Sequence, residues 1–90
     1  MRIIAGKHKG RKIKTANNLN VRPTTDRAKE ALFSIINSRY FFKGKTVLDL
    51  YSGTGNIAFE FISRGVEKVI AVDNHINCVE FINSTSKSFN

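Results

Sequence analysis

Apolar residues recur along the chain with a period that changes from segment to segment. Residues 2–5 (RIIA) read as a short strand, 7–10 (KHKG) as a glycine-containing turn and 11–15 (RKIKT) as a returning strand. The pattern predicts a small antiparallel hairpin with Ile3 and Ile13 on its apolar face and Lys and Arg side chains toward solvent. Asn17, Asn18 and Asn20 mark a loop. In VRPTTDRAKEALFSIIN the period becomes helical, with Ala28, Ala31, Leu32, Ile35 and Ile36 forming one stripe. Pro23 favours an extended Arg22, Thr24 or Thr25 is a competent N-cap, and Asp26 meets the positive end of the helix dipole. The stripe predicts a packing helix with those five residues inward.

The second half alternates strand and helix. TVLDL (46–50) is a short apolar strand that runs into YSGTGN. IAFEFISRG reads as a helix with Ile57, Ala58, Phe61 and Ile62 on one side and Gly65 just past its end. The continuous run KVIAVD (68–73) suits a strand buried on both faces of a parallel sheet. HINCVEFINST (75–85) starts another helix with Ile76, Val79 and Ile82 inward, and the polar SKSFN tail is expected to fray. This order is the opening of a doubly wound α/β sheet. The expected division is a basic β-hairpin and loop over 1–21, then the first part of a Rossmann-like unit over 22–90. No repeat and no Pro-rich or Gly/Ser linker interrupts it.

Composition narrows the class. With 41% hydrophobic residues in 90, the chain is too apolar for a disordered segment, and its one Cys cannot form an internal disulfide. No apolar run approaches a bilayer-spanning length, and the basic N-terminus lacks the apolar core of a signal peptide, so a cytoplasmic location is expected. The net charge of +8 is unevenly placed. Residues 1–45 hold twelve basic and two acidic side chains (+10), and residues 46–90 hold three basic and five acidic (−2). A front half of this sign seeks polyanions, although a solvated lysine-rich surface would show the same run. Arg22, Thr24, Thr25 and Arg27 add polar donors at a helix start, where anions are favoured.

The glycine turn carries the candidate chemistry. In Asp49-Leu50-Tyr51-Ser52-Gly53-Thr54-Gly55-Asn56, Gly53 and Gly55 allow a sharp turn and the close approach of a ligand. The helix begins near Asn56 or Ile57, with its free amides facing that ligand. Asp73 ends the next strand, where a carboxylate can accept hydrogen bonds from ribose hydroxyls. Together these point to a nucleoside-containing cofactor. GTGNIA also fits the dinucleotide pattern, with Ala58 in its last place. However, Asp49 stands at the strand end four residues before Gly53, where it can engage a cationic part of a ligand, as in S-adenosylmethionine. Tyr51 either packs beside the ligand or closes the strand.

MRIIAGKHKGRKI, VRPTTDRAKEALFSII, VLDLYSGTGNIAFEFISRG and KVIAVD, in this order from Met1 to about Asn74, resemble the N-terminal half of the RsmD-type methyltransferases. RPTTDR together with the glycine motif carries the resemblance. It implies an α/β Rossmann-like S-adenosylmethionine-dependent fold, here incomplete, and methylation of a guanine N2 amino group in small-subunit ribosomal RNA. Asp49, Gly53 and Gly55 would line the methionine end of S-adenosyl-L-methionine and Asp73 would hold the ribose, with Tyr51, Ser52, Thr54 and Asn74 beside them. Arg2, Lys7, His8, Lys9, Arg11, Lys12, Lys14, Arg22, Thr24, Thr25 and Arg27 would approach RNA. The family's downstream (D/N)-P-P-(F/Y) motif, which holds the target amino group, is not matched, because the one Pro is Pro23. No catalytic residue is therefore assigned, and the sequence corresponds to about half of a catalytic domain.

Two other classes stay open: a non-catalytic RNA-binding module and a nicotinamide-dependent oxidoreductase fragment. Cys78 is expected to be core packing, His8 a phosphate contact or a solvated loop residue, and His75 has no metal-like partner, so no metal site is expected. An incomplete sheet predicts uncovered edges and apolar faces, hence weak stability or self-association.

Overall fold

The computed structural model describes residues 2–13 and 25–88. The expected Asn loop, Lys14, Arg22, Pro23 and Thr24 lie outside the described residues. Helix α1 spans Asp26–Arg39, strand β1 Thr46–Leu50, helix α2 Asn56–Ser63, strand β2 Lys68–Val72 and helix α3 Ile76–Ser88. β1 and β2 pair in parallel, with Val47 opposite Val69 and Asp49 opposite Ala71, joined through α2 as in a βαβ unit. Thr25 is the N-cap of α1, its hydroxyl accepting the Ala28 amide at 3.2 Å. Gly65, at φ +103, follows the α2 cap residue Arg64 in the left-handed conformation that ends helices.

The expected hairpin is reduced among the described residues to a single antiparallel bridge, Arg2 to Lys12. The Ile3 amide donates to the Arg11 carbonyl (2.9 Å) and the Gly10 amide to the Ile3 carbonyl (2.8 Å). Its apolar face is as predicted. Ile3 and Ile13 are buried with Phe59, and Phe81 and Ile82 pack against them. The segment lies on α2 because Gly6, at φ +91, approaches the helix end so closely that a Cβ would sit 1.9 Å from the Ser63 carbonyl oxygen.

Several expected faces are turned. On α1 most of the predicted stripe points outward, with Leu32 40% and Ile35 59% exposed, Ala28 and Ala31 also exposed and Ile36 half-buried, while Lys29 and Phe33 are fully buried. On α2, Asn56, Ala58, Phe59, Glu60 and Ser63 are buried, and Ile62 is exposed. On α3, Cys78 is the buried residue, Ile76 and Val79 are exposed, and the helix continues through Ser88 where fraying was expected. β2 is covered on one face only. Val69 and Ala71 are half-buried, whereas Ile70 and Val72 on β2, and Leu48 and Leu50 on β1, face outward and are exposed.

The reason lies in what each helix has to meet. Phe33 packs edge-on against Phe61 (4.6 Å between ring centroids) and Phe42 (6.2 Å), and the Arg64 guanidinium lies 4.6 Å over its ring. One turn earlier, Lys29 enters the interior to meet Glu60 of α2, with 3.2 Å between Nζ and Oε1 and both side chains withdrawn from water. A buried charge is tolerated only when paired and hydrogen-bonded, so this pair fixes which face of α1 turns inward.

Candidate functional site

The turn between β1 and α2 is held by its own sequence. Ser52 donates its amide (2.9 Å) and its hydroxyl (3.1 Å) to the Val72 carbonyl, tying the turn to the end of β2. The Gly55 amide donates to the Ser52 carbonyl at 2.9 Å. Gly55 is the N-cap of α2 at φ +83, where a Cβ would lie 2.8 Å from the Phe59 ring, so a side chain would be excluded by space as well as by backbone. Tyr51 also adopts a positive φ of 57, unusual for a residue with a Cβ, and the residue is 85% exposed at the start of the turn. Thr54 is buried and Asn74 exposed.

Asp73 organises the other side. Its Oδ2 accepts the Gly53 amide and its Oδ1 the His75 amide, both at 2.9 Å. The His75 and Gly53 amides hold its carboxyl below the ordinary range. Each oxygen keeps a free lone-pair direction, so Asp73 can shape the glycine turn and still accept a ligand hydroxyl. Asp49 differs. Its Oδ2 is buried and has no hydrogen-bond partner, and burial pushes its carboxyl up from the ordinary value. The structure thus brings Asp49, Tyr51, Ser52, Gly53, Thr54, Gly55, Asp73 and Asn74 to one end of the two strands. Cys78 is buried, and desolvation and then the Asp73 charge push its thiol up, away from nucleophilic character.

The basic candidates divide between two places. Lys7, Lys9, Arg11 and Lys12 are exposed on the docked segment, with His8 half-buried among them. Arg2 is exposed too, but its Nε pairs with Asp26 Oδ2 at 3.2 Å, joining the segment to the start of α1. Thr25 and Arg27 stand at that same helix start. The Arg11 guanidinium donates to the Ser88 carbonyl at the end of α3. Among the described residues no cluster of His, Cys, Asp or Glu could hold a metal, and no helix is long and apolar enough to cross a membrane.

Sequence reasoning missed a polar stripe on α2. Asn56, Glu60 and Ser63 fall at i, i+4 and i+7 in an otherwise apolar helix, and all three are buried. Glu60 Oε1 accepts the Ile4 amide (2.9 Å) and Oε2 the Ala5 amide (3.1 Å) and Arg64 Nε (2.7 Å). Burial alone would raise its carboxyl, but the Ile4 amide, Arg64 and Lys29 together hold it below the ordinary value. Lys29 Nζ spends its three protons on Glu60, the Arg2 carbonyl (2.5 Å) and Asn56 Oδ1 (2.7 Å). The helical spacing of three polar residues was the signal that could have revealed the stripe.

A strand, a glycine turn, a helix and a second parallel strand, with an acid at each strand end, define part of a Rossmann-like α/β unit. A solved structure, "Putative methyltransferase yhhF from Escherichia coli", shares this fold with a TM-score of 0.83 at 24% identity, matching 99% of this chain and 46% of that one. Among curated proteins, "Putative rRNA methyltransferase YlbH" of Bacillus subtilis is 39% identical over 98% of this chain and 47% of its own length. "Ribosomal RNA small subunit methyltransferase D" of Haemophilus influenzae is 41% identical over 77% of this chain and 35% of its own. The chain therefore spans less than half the length of these relatives. A family model described as "Conserved hypothetical protein 95" matches residues 1–90, and the chain belongs to that family, the RsmD-type methyltransferases its motifs resemble.

Proposed function

We propose that this chain is the cofactor-binding and RNA-facing part of an S-adenosylmethionine-dependent enzyme that methylates a guanine N2 amino group of small-subunit ribosomal RNA in the cytoplasm. The observation that carries the cofactor half is Asp49 Oδ2, buried without a partner near the end of the strand that runs into the glycine turn. A buried carboxylate oxygen lacking a donor costs roughly 1–3 kcal/mol, a cost that a ligand ammonium removes. S-Adenosylmethionine carries that ammonium on its methionine end. In this reading Asp49 takes the amino group, the turn through Gly53 and Gly55 borders the methionine end, and the remaining acceptor positions of Asp73 take the ribose hydroxyls. Tyr51, Ser52, Thr54 and Asn74 border the same space. When bound, the cofactor supplies a methyl group activated by its sulfonium, ready for a nucleophilic nitrogen. What these residues contribute is position: they hold the donor at one end of the sheet.

The RNA half rests on the names of the relatives and on charge. Lys7, Lys9, Arg11 and Lys12 are exposed on one short docked segment, with Arg2 and Arg27 near the start of α1. Such a surface places a phosphate backbone without reading its sequence. Two measurements test the proposal. Calorimetry with S-adenosylmethionine, S-adenosylhomocysteine and NAD should show binding of the first two, weakened at least tenfold by Asp49→Asn. Preferred NAD binding would sink the methyltransferase reading. Affinity for a ribosomal RNA fragment should fall steeply with salt, and a salt-independent affinity would rule out the phosphate contacts.

A further inference from the structure

The buried stripe of α2 touches two regions that the proposed function keeps apart. At the N-terminal end, Asn56 directly follows the glycine turn and accepts Lys29 Nζ. One turn on, Glu60 accepts the Ile4 and Ala5 amides of the basic segment. At the C-terminal end, Ser63 completes the docking. Its carbonyl accepts the Lys7 amide (2.7 Å), its hydroxyl accepts the His8 amide (2.9 Å), and that hydroxyl donates to the Ala5 carbonyl (2.6 Å). Lys29 closes the network by joining Asn56, Glu60 and the Arg2 carbonyl. From Asn56 to Ser63 a helix rises about 10 Å, a length that cannot vary without breaking the helix.

We propose that α2 acts as a ruler: Lys29, Asn56, Glu60 and Ser63 are positioning residues that set the basic segment 2–13 at a fixed distance and angle from the cofactor turn. The inference rests on the reading that this segment meets RNA. A cation on a frayed segment loses conformational freedom when it meets a phosphate, whereas one already anchored through its backbone does not, so anchoring appears as affinity. Four backbone amides, those of Ile4, Ala5, Lys7 and His8, are fixed by this one helix. Apolar packing of Ile3 and Ile13 against Phe59 would hold the segment down but would not set its register along α2. The hydrogen bonds supply that register.

The test separates anchoring from folding. In the double variant Lys29→Met with Glu60→Leu, apolar side chains of similar size replace the charged pair, so that neither charge is left buried alone while the Ile4 and Ala5 amides lose their acceptor. The folded double variant should keep S-adenosylhomocysteine affinity within about threefold, lose hydrogen-exchange protection at the Ile4 and Ala5 amides, and lose roughly tenfold in RNA affinity. Ser63→Ala removes the hydroxyl that meets His8 and Ala5, and keeps the claim testable should the double variant not fold. It should lose protection at His8 and about threefold in RNA affinity. Unchanged protection at these amides in a folded variant would overturn the proposal, as would released amides with unchanged RNA affinity. If the unaltered chain binds no RNA, the RNA reading of the segment fails, and the exchange result alone decides whether the stripe sets its position.

Discussion

Glu60, midway along α2, and Asp49, near the end of β1, both carry carboxylate oxygens withdrawn from water. Glu60 meets Lys29, Arg64 and the amides of Ile4 and Ala5, while Asp49 Oδ2 meets no donor. The same functional group is therefore used in two ways. Around Glu60 the chain has supplied every partner, and the acid joins α1, α2 and the N-terminal segment. Around Asp49 it has left the inner oxygen unpaired, near the end of the strand that runs into the glycine turn. A satisfied buried acid is part of the scaffold, and the unsatisfied one is where the proposed reading puts the cofactor's cation.

The largest effect should come from breaking the satisfied acid one-sidedly. Lys29→Met leaves Glu60 buried with Arg64 as its one remaining cation, and should cost about 3–5 kcal/mol in urea unfolding, whereas adding Glu60→Leu should recover only part of that loss, because the Ile4 and Ala5 amides then lose their acceptor. Equal costs for the single and double variants would show that the pair is not the source. Next, Gly6→Ala forces a Cβ toward the Ser63 carbonyl at a backbone angle unsuited to it, and should cost about 2 kcal/mol. Because it lies on the Glu60 side, its folded fraction should bind S-adenosylhomocysteine normally. Weakened binding there would mean that the two regions are less separate than drawn.

The two regions also differed in how legible they were. On the Asp49 side the strand, turn and helix could be read because their parts are local. Asp49, Gly53 and Gly55 stand within seven residues, and Asp73 follows at the end of the next strand in a βαβ unit that periodicity already indicates. The Glu60 side joins residues from three separate segments, which no window along the chain brings together. The apolar stripe of α1 misled for the same reason. Periodicity shows that Ala28, Leu32 and Ile35 share a face, but the inward face was chosen by Lys29 and Phe33 meeting Glu60 and Phe61. The run in β2 indicated a strand correctly, but not that one of its faces would be open.

A milder test sharpens the contrast from the other side. Asp49→Asn replaces a carboxylate that burial disfavours with a neutral group of the same shape. It should leave the unliganded chain as stable or more stable by up to about 1 kcal/mol in urea unfolding. The same variant should lose cofactor affinity. Lost stability together with retained affinity would make Asp49 a scaffold residue like Glu60 and erase the distinction.

The smallest effect is in pH, and its sign separates the two acids. Glu60 is held below its ordinary value of 4.5, so its contribution is complete above that value and is lost as pH falls through the folded-state value. Asp73, held below 3.8 by the His75 and Gly53 amides, adds a slope of the same sign. Asp49 is raised above 3.8, so its ionisation opposes folding, and stability drifts down as pH rises from there through its folded-state value. Unfolding free energy measured from about pH 3 to about pH 7 should therefore rise along an acid limb that Glu60→Gln flattens. Asp49→Asn should leave that limb in place and remove the shallow opposing drift above it. Saturating S-adenosylmethionine should remove the same drift in the unaltered chain, because an ammonium beside Asp49 favours the ionised carboxylate. A drift that survives the cofactor would place the cation elsewhere, and Asp49 would no longer stand as the acid left open for it.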